Sequence, residues 1–504
     1  MKTKGMDHQI IGLEQSDRRS YYGYLMEQGT GKTWLTMADV ESKYERGLID
    51  GLMVVAPKGV HTNWTRIEIP THMEAPHISG AWRSGMGVAE EKALNKLLEP
   101  TKKLRIFAMN YDAANTAKGF VFAQRFLESC NVGAYLAADE SQRIKGHDTA
   151  RTKKVLKLSQ YALVRRILSG TPITKNPGDV FSQFEFLKSG LLGTDSYRAF
   201  FAQYAQLMDA ANPTTDSDWQ HRKMIEKNPR MAFAMIVARD DITGRPIYRN
   251  LDKLARLVEK HSYRVLKKDC LDLPEKIYQI RQFELTGKQK AAYNLMEQEC
   301  RILLEDNKLQ PVVKLAALMK LQQITSGYVI VPGRDEPMFV AEDNPRLSLL
   351  LEILEDIEGK VIIWARFKPE LHLIAETLRK MGKKVAEYHG GIKEREREEA
   401  VDWFQRGDAD VFLGNAQSGG LGLTLTAAET MVYYSNSFNN GDRMQSEDRN
   451  HRKGTKNACL YIDMSCVDTI DETIAKSLQT KSDLAHAVLD ERGLDTRSVD
   501  LDDN

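Results

Sequence analysis

Residues 24–40 read YLMEQGTGKTWLTMADV, a set of types suited to holding a triphosphate. Gly29 and Gly31, with Thr30 between them, let backbone N–H groups converge on a phosphate; Lys32 supplies a point charge, and the Thr33 hydroxyl can ligand Mg²⁺ where a helix begins. The first glycine of GxxxxGK[ST] is missing, since Met26 stands there. A plain Gly-Thr-Gly turn ahead of a lysine is the other reading of this stretch. Further on, the run AYLAADE ends in Asp139 and Glu140. A strand that delivers two carboxylates at its carboxyl end can give one to a metal ion and the other to an attacking water. Asp139 is the candidate for Mg²⁺, directly or through water, and Glu140 for orienting the nucleophile. The competing reading is an acidic pair that caps a helix.

Such groups need rigid strands behind them. Short, non-alternating apolar runs recur: LMVVAP (52–57), LRIFAMN (104–110), AYLAADE (134–140), KVIIWARF (360–367), DVFLGN (410–415), ETMVYYSN (429–436) and ACLYIDM (458–464). Runs of this kind suit strands buried on both faces of a parallel sheet, with helices covering them. They fall into two clusters, before about residue 190 and after about 345, which predicts two α/β units. Between them AFFAQYAQL, NLMEQECRILL and VVKLAALMKLQQI carry helical spacing, with isolated strands left open. No fixed-period repeat is present.

At 504 residues the chain has room for two large units or about three ordinary ones. Lys+Arg number 71 and Asp+Glu 70, a net charge of +1 that excludes a polybasic nucleic-acid tail or an acidic solvating chain. With 42% hydrophobic and 28% charged residues the composition is that of a globular protein. No apolar run approaches the roughly 20 residues of a membrane span, and MKTKGMDHQI lacks a secretory signal, so a cytoplasmic protein with no membrane partner is expected. Five scattered cysteines, none spaced as CxxC, suggest neither a disulfide framework nor zinc.

With GTGKT and DESQ in order, the chain resembles helicase-like ATPases of superfamily two, and most closely the Swi/Snf-type DNA translocases. His8-Gln9 resembles the element that reads adenine, and APKGVHTNWTRIE (56–68) the family's motif Ia; Asn110-Tyr111-Asp112 is similar to its Thr-Tyr-Glu element. DESQRIKG resembles DEAHRIKN, and LSGTPITKNPGDVFSQFEFL (168–187) the motif III segment. YRVLKKDCLDLPEK (263–276) is similar to the linker between lobes, VIIWARF (361–367) to motif IV, NAQSGGLGLTLTAAETMVYY (415–434) to motif V and QSEDRNHRKGT (445–455) to motif VI. The resemblance runs from about residue 7 to 485. Departures are Met26 and Gln28 in the usual DEMGLGKT, Gln142 for the DEAH histidine and Thr455 for the motif VI glutamine. Gln142 is still expected to hydrogen-bond between the phosphate site and motif III.

The resemblance implies two RecA-like parallel-sheet lobes with helical protrusions between them. It places lobe 1 at 1–190, its protrusion at 191–262, the linker and lobe 2 protrusion at 263–345, lobe 2 at 346–466, a brace helix region at 467–489 and a disordered acidic tail at 490–504. ATP and Mg²⁺ are the implied cofactors. Lys32, Asp139, Glu140, Arg449 and Arg452 are the implied catalytic set; Gln9, Gly29, Thr30, Gly31, Lys32, Thr33, Gln142 and Gly422 hold nucleotide, with Thr33 and Asp139 on the metal. Arg449 and Arg452 would stabilise phosphoryl charge, against the alternative of surface ion pairs to Glu447 or Asp448. His451 reads equally well as a nucleotide contact or a packing residue, and KEREREEA (393–400) as a solvated helix face. DNA contacts fall on Lys58, Asn63, Trp64, Ser418 and Thr424, where core packing is the competing reading for Trp64.

The implied function is a DNA-dependent ATPase that moves on double-stranded or branched DNA as a monomer, with replication or recombination proteins as partners. A strand-separating or branch-migrating helicase is the alternative enzyme, and an ATP-gated DNA clamp the alternative of another class. With little ahead of Gln9 or after the brace helix, a compact bacterial or phage motor is expected rather than a nucleosome remodeller.

Overall fold

Apolar runs with no polar face cannot offer a side to water, and in the structure, a computed structural model, they become strands covered by helices on both sides. The structure describes residues 1–58, 60–83, 85–174, 176–209, 235–238, 246–305, 311–330, 337–340, 343–419, 423–452 and 454–478. The acidic tail and the end of the brace helix region, expected over 479–504, lie outside the described residues. Two units result, Met1–Tyr204 with Arg249–Asp272, and Ala205–Tyr248 with Leu273–Thr480.

In the first unit, β1 (Tyr21–Met26), β2 (Gly51–Ala56), β3 (His77–Ala81), β4 (Leu104–Asn110), β5 (Ala134–Asp139) and β6 (Val164–Leu168) precede a short antiparallel pair of the other unit, β7 (Leu207–Asp209) and β8 (Met235–Val237). β9 (Ser262–Val265) then returns to complete the sheet, in the order β3-β4-β2-β5-β6-β1-β9, parallel throughout. Alternate residues of each strand feed opposite cores. Leu25, Met53, Val55, Phe107 and Leu136 point to one, and Tyr24, Leu52, Val54, Ile106 and Tyr135 to the other. Leu168 is in register with Tyr24 on one side and Asp139 on the other, which brings the carboxyl ends of β1, β6 and β5 level. In such sheets that edge is where ligands bind.

The second unit holds β10 (Lys276–Phe283), the hairpin β11 (Tyr328–Val329) and β12 (Met338–Phe339), then β13 (Val361–Trp364), β14 (Val385–Tyr388), β15 (Val411–Gly414), β16 (Thr430–Tyr433) and β17 (Cys459–Cys466). Its six-stranded parallel sheet runs β10-β17-β16-β13-β15-β14. Ile363, Leu413 and Val432 fill one face; Ile362, Phe412 and Met431 fill the other. Helices Gly287–Glu305 and Pro311–Thr325, with the helical stretch 470–478, enclose a third cluster around Tyr293, Leu321, Ile324, Ile470 and Ile474. The predicted pair of parallel-sheet α/β units with helical additions is therefore present. Among the described residues no helix is long and apolar enough to cross a membrane.

Candidate active site

Three loops, one after each of β1, β5 and β6, build the site in the first unit. The first is wound tightly: Gly29 has φ 83° and Gly31 φ 87°, and Gly31 starts helix Lys32–Glu45. A Cβ on Gly31 would lie 1.8 Å from Gln9 Nε2, so both the backbone angle and the space demand glycine. Gln9 Nε2 donates to the carbonyls of Thr30 (3.3 Å) and Gly31 (3.2 Å), and its Oε1 accepts from the Met6 N–H. The His8 ring donates to the Thr30 carbonyl as well (2.8 Å). The Thr30 hydroxyl donates to Glu27 O, and the buried Lys32 ammonium to Met26 O (2.8 Å) and Glu27 O (3.3 Å). Thr33 stands partly exposed in the first turn, beside helix N–H groups suited to an anion.

β5 brings Asp139 to the same edge. Its carboxylate is buried, 6% exposed, and accepts the Trp64 indole N–H on Oδ2 at 3.0 Å. Burial, followed by the neighbouring Glu140 charge, pushes its pKa up to about 6, while the Trp64 bond opposes the rise. The Tyr111 hydroxyl donates to the Asp139 carbonyl (2.8 Å). Glu140 takes the left-handed conformation, φ 53°, a strained choice for a residue with a Cβ. Its Oε1 accepts from Gln28 Nε2 (3.0 Å) and its Oε2 from Gln142 Nε2 (2.7 Å).

From the third loop, the Ser169 hydroxyl donates to Gln142 Oε1 (2.7 Å) and accepts from the Thr171 N–H (3.1 Å). Gln142 thus links Glu140 to Ser169 of the loop after β6, as its amide chemistry allows. Gly170 packs directly on the first loop, since a Cβ there would meet Gln28 N at 3.2 Å and Met26 O at 3.3 Å. The structure therefore brings Gln9, Gly29, Thr30, Gly31 and Lys32 together in one loop network and joins Glu140 and Gln142 to Gln28 of that loop. Sequence reasoning noticed Gln28 only as a departure and missed its hold on Glu140. The available signal was an amide directly before GTGKT.

One DNA candidate needs correction. Trp64 is 1% exposed and spends its indole N–H on Asp139, so it offers no ring face for a base to stack on. It heads a π-helical stretch, Trp64–Glu68, set between helices Val60–Asn63 and Ile69–His72, and such irregular turns often re-aim a side chain toward a site. Lys58 is exposed and Asn63 partly exposed on the same segment.

In the second unit, helix Asn440–Glu447 leads into Arg449 and Arg452, whose guanidinium groups converge on the Leu423 carbonyl at 3.5 and 3.1 Å. The Leu425 N–H donates back to Arg449 O (2.8 Å), so the motif V and motif VI segments are tied together. Glu447 accepts from Lys276 Nζ (2.9 Å), Tyr278 OH (2.8 Å) and Arg443 Nε (2.8 Å). Burial alone would raise the Glu447 pKa, but the charges of Lys276 and Arg443 override it and hold it at about 2. Thr455, where the family carries glutamine, accepts from the Arg452 N–H (3.3 Å) and donates to Arg452 O (2.9 Å). The His451 ring donates from Nε2 to the Pro274 carbonyl (2.8 Å), a packing contact. Thr424 is exposed, while the Ser418 side chain and Gly422 lie outside the described residues.

Comparison with known proteins matches two family descriptions, the first of which runs across both units. Residues 18–327 match the SNF2-related domain, and 345–454 the helicase conserved C-terminal domain. The chain is 23% identical over 495 residues to nuclear protein STH1/NPS1 of Saccharomyces cerevisiae, covering 94% of this chain and 34% of that protein. It is 24% identical over 450 residues to the putative ATP-dependent helicase/translocase YwqA of Bacillus subtilis, covering 87% and 43%. To the DNA repair and recombination protein RDH54 of S. cerevisiae it is 23% identical over 478 residues, covering 91% and 46%. The chain spans less than half the length of each of these relatives.

Proposed function

Because this chain belongs to the SNF2-related family of helicase-like proteins, we propose that it is a DNA-dependent ATPase that translocates on double-stranded DNA and remodels DNA or protein–DNA complexes in replication, recombination or repair. The observation that carries the reading is the convergence of Lys32, Asp139 and Glu140 on loops whose parent strands end level with one another. Phosphoryl transfer asks a protein for positioning and charge stabilisation more than for covalent help.

Lys32 neutralises phosphate charge beside the N–H groups that open helix Lys32–Glu45. Hard oxygen donors, the Asp139 carboxylate and the Thr33 hydroxyl, suit Mg²⁺, and a carboxylate ionising with difficulty in a buried setting is one that a cation stabilises. When bound, Mg²⁺ supplies charge neutralisation on the phosphate oxygens. Glu140 orients and polarises the attacking water. Gln9 and His8 hold the loop backbone at Thr30 and Gly31. The family resemblance gives Arg449 and Arg452 the task of stabilising the charge of the transferring phosphoryl group. Contact with DNA falls to Lys58, Asn63, Ser418 and Thr424 and goes to the phosphate backbone, since a moving motor cannot depend on one base sequence. In this reading the protein works as a monomer in a bacterial or phage-infected cytoplasm, recruited by replication or recombination proteins; the repair and recombination role in the name of RDH54 and the helicase/translocase role in that of YwqA support the kind of work, not the compartment or the oligomeric state.

The test is ATP hydrolysis against duplex, single-stranded, forked and four-way DNA, with Lys32→Ala as the blank. Duplex DNA should stimulate turnover, and affinity should fall steeply as salt rises. A triplex-displacement assay reads translocation, and a forked-duplex unwinding assay separates it from strand separation. Stimulation that requires single-stranded DNA or RNA would overturn the proposal. Full biological activity in a turnover-dead Glu140→Gln variant would favour an ATP-gated clamp.

A further inference from the structure

The Glu140 carboxylate is gripped from both sides by amides of the same kind. Gln28 reaches Oε1 from the loop after β1, and Gln142 reaches Oε2 from within the turn that follows β5. Both are departures from the pattern this chain otherwise resembles, which carries methionine and histidine at the two places. We infer that Gln28 and Gln142 are a matched pair of positioning residues that fix the rotation of the Glu140 carboxylate. This rests on the reading of Glu140 as the group that orients water.

An ionised carboxylate has about four acceptor sites on its two oxygens. The two amides each bond one oxygen, which opposes rotation of the plane. That rotation is otherwise soft, because the terminal torsion of a glutamate is broad and roughly two-fold. Bonds from amides to a charged acceptor belong to the stronger class, so the two together make a stiff bracket. The left-handed backbone at Glu140, φ 53°, sets the direction in which the side chain leaves the strand end, and the bracket sets its final orientation.

The two arms also report on different loops. Gln142 is held by the Ser169 hydroxyl, so motif III steadies one oxygen. Gln28 sits in the phosphate loop, and Gly170 packs against its backbone N–H, where a Cβ would come within 3.2 Å. A shift of the Gly29–Thr33 loop or of the Ser169 loop therefore removes one amide bond from Glu140 and weakens the hold on its plane. Orientation of the nucleophile is made conditional on both loops being in place.

The experiment is steady-state ATP hydrolysis with saturating duplex DNA for wild type, Gln28→Met, Gln142→Leu and the double variant, beside affinity for a non-hydrolysable ATP analogue. Each single change should lower kcat by about tenfold while KM and analogue affinity move by less than about twofold, the pattern of an interaction realised at the chemical step. The double variant should fall by far less than the product of the singles, about 10- to 20-fold, since the two amides act as one bracket that fails when either arm is lost. Gln142→His, which keeps a ring N–H donor, should retain several times the kcat of Gln142→Leu. Gln28→Glu, of unchanged size, should lose as much as Gln28→Met and replaces it if the methionine variant misfolds. Unchanged kcat in Gln28→Met, a loss matched by weaker analogue binding, or a double variant that multiplies the singles would each overturn the bracket. Wild type lacking any Lys32-dependent turnover would instead overturn the ATPase reading, and the bracket with it.

Discussion

Glu447→Gln is the most informative single change in the second unit, because three donors meet on one buried carboxylate. Glu447 is 6% exposed, with Lys276, Tyr278 and Arg443 at 2.9, 2.8 and 2.8 Å. Its pKa falls from the ordinary 4.5 to about 2, which corresponds to about 3 kcal/mol of stabilisation at neutral pH. A second route agrees: breaking one side of a buried ion pair costs about 3–5 kcal/mol, and here Lys276 loses its carboxylate while Arg443 keeps Asp463 at 2.9 Å, which sets the cost at the low end of about 3 kcal/mol. Because the folded-state pKa is depressed, this contribution is complete above pH 4.5 and is lost as pH falls toward 2. Urea unfolding of wild type and Glu447→Gln at pH 7 and pH 3, followed by circular dichroism, reads it directly. The variant should be less stable by about 3 kcal/mol at pH 7, with roughly half that gap at pH 3. A gap below about 1 kcal/mol at pH 7, or one equal at both pH values, would refute the reasoning. ATP turnover should fall too, since helix Asn440–Glu447 leads straight into Arg449.

Asp139 should behave in the opposite sense. Its pKa is raised from 3.8 to about 6, so its favourable contribution is present below pH 4 and lost as pH rises through 6. Asp139→Asn should therefore stabilise the metal-free protein by about 1–3 kcal/mol at pH 8, show no gain at pH 4, and abolish ATP hydrolysis; equal denaturation curves at pH 8 would count against it. Trp64→Phe keeps the ring but removes the donor to Asp139, and should cost about 1.5–3 kcal/mol in urea unfolding with DNA affinity unchanged across a salt titration. Weaker DNA binding at unchanged stability would restore Trp64 to the DNA surface. Gly31→Ala places a Cβ 1.8 Å from Gln9 Nε2 at φ 87°, so nucleotide affinity should drop at least tenfold, with partial recovery in Gln9→Ala/Gly31→Ala. Calorimetry that finds no recovery would place the damage in backbone strain alone.

The strands that were legible are those whose side chains are apolar on both faces. LMVVAP became β2, LRIFAMN β4 and AYLAADE β5, within a residue or two at each end. β6 escaped notice because VRRIL carries two arginines, yet Arg166 is fully buried, 2.9 Å from Asp39 and stacked near the Tyr24 ring. A buried ion pair breaks the apolar pattern without breaking the strand. β10 escaped for the opposite reason: Ile277, Tyr278 and Ile280 are exposed and Phe283 is buried only at its end, so almost no buried face is written into the sequence. Lys32, Asp139 and Glu140 stood out as candidates by residue type and loop position, and the structure sets them on the loops after β1 and β5. The partnerships of Trp64 with Asp139 and of Gln28 with Glu140 were not legible, since each joins positions 75 and 112 residues apart through tertiary folding.

The place of β9 bears on how the chain is made. β1 lies between β6, which ends at Leu168, and β9, which starts at Ser262. On a ribosome adding about 5–20 residues per second, one edge of β1 waits roughly 5–20 s for its second neighbour after the first has emerged. During that interval the backbone groups of Gly23–Met26 form an open edge, the kind that recruits strands from other chains. The same strand carries the Gly29–Thr33 loop at its end, so the loop cannot acquire its final support until Ser262–Val265 has been made. Synthesis rate and chaperone cover over that stretch therefore govern how much of the product reaches a nucleotide-binding form.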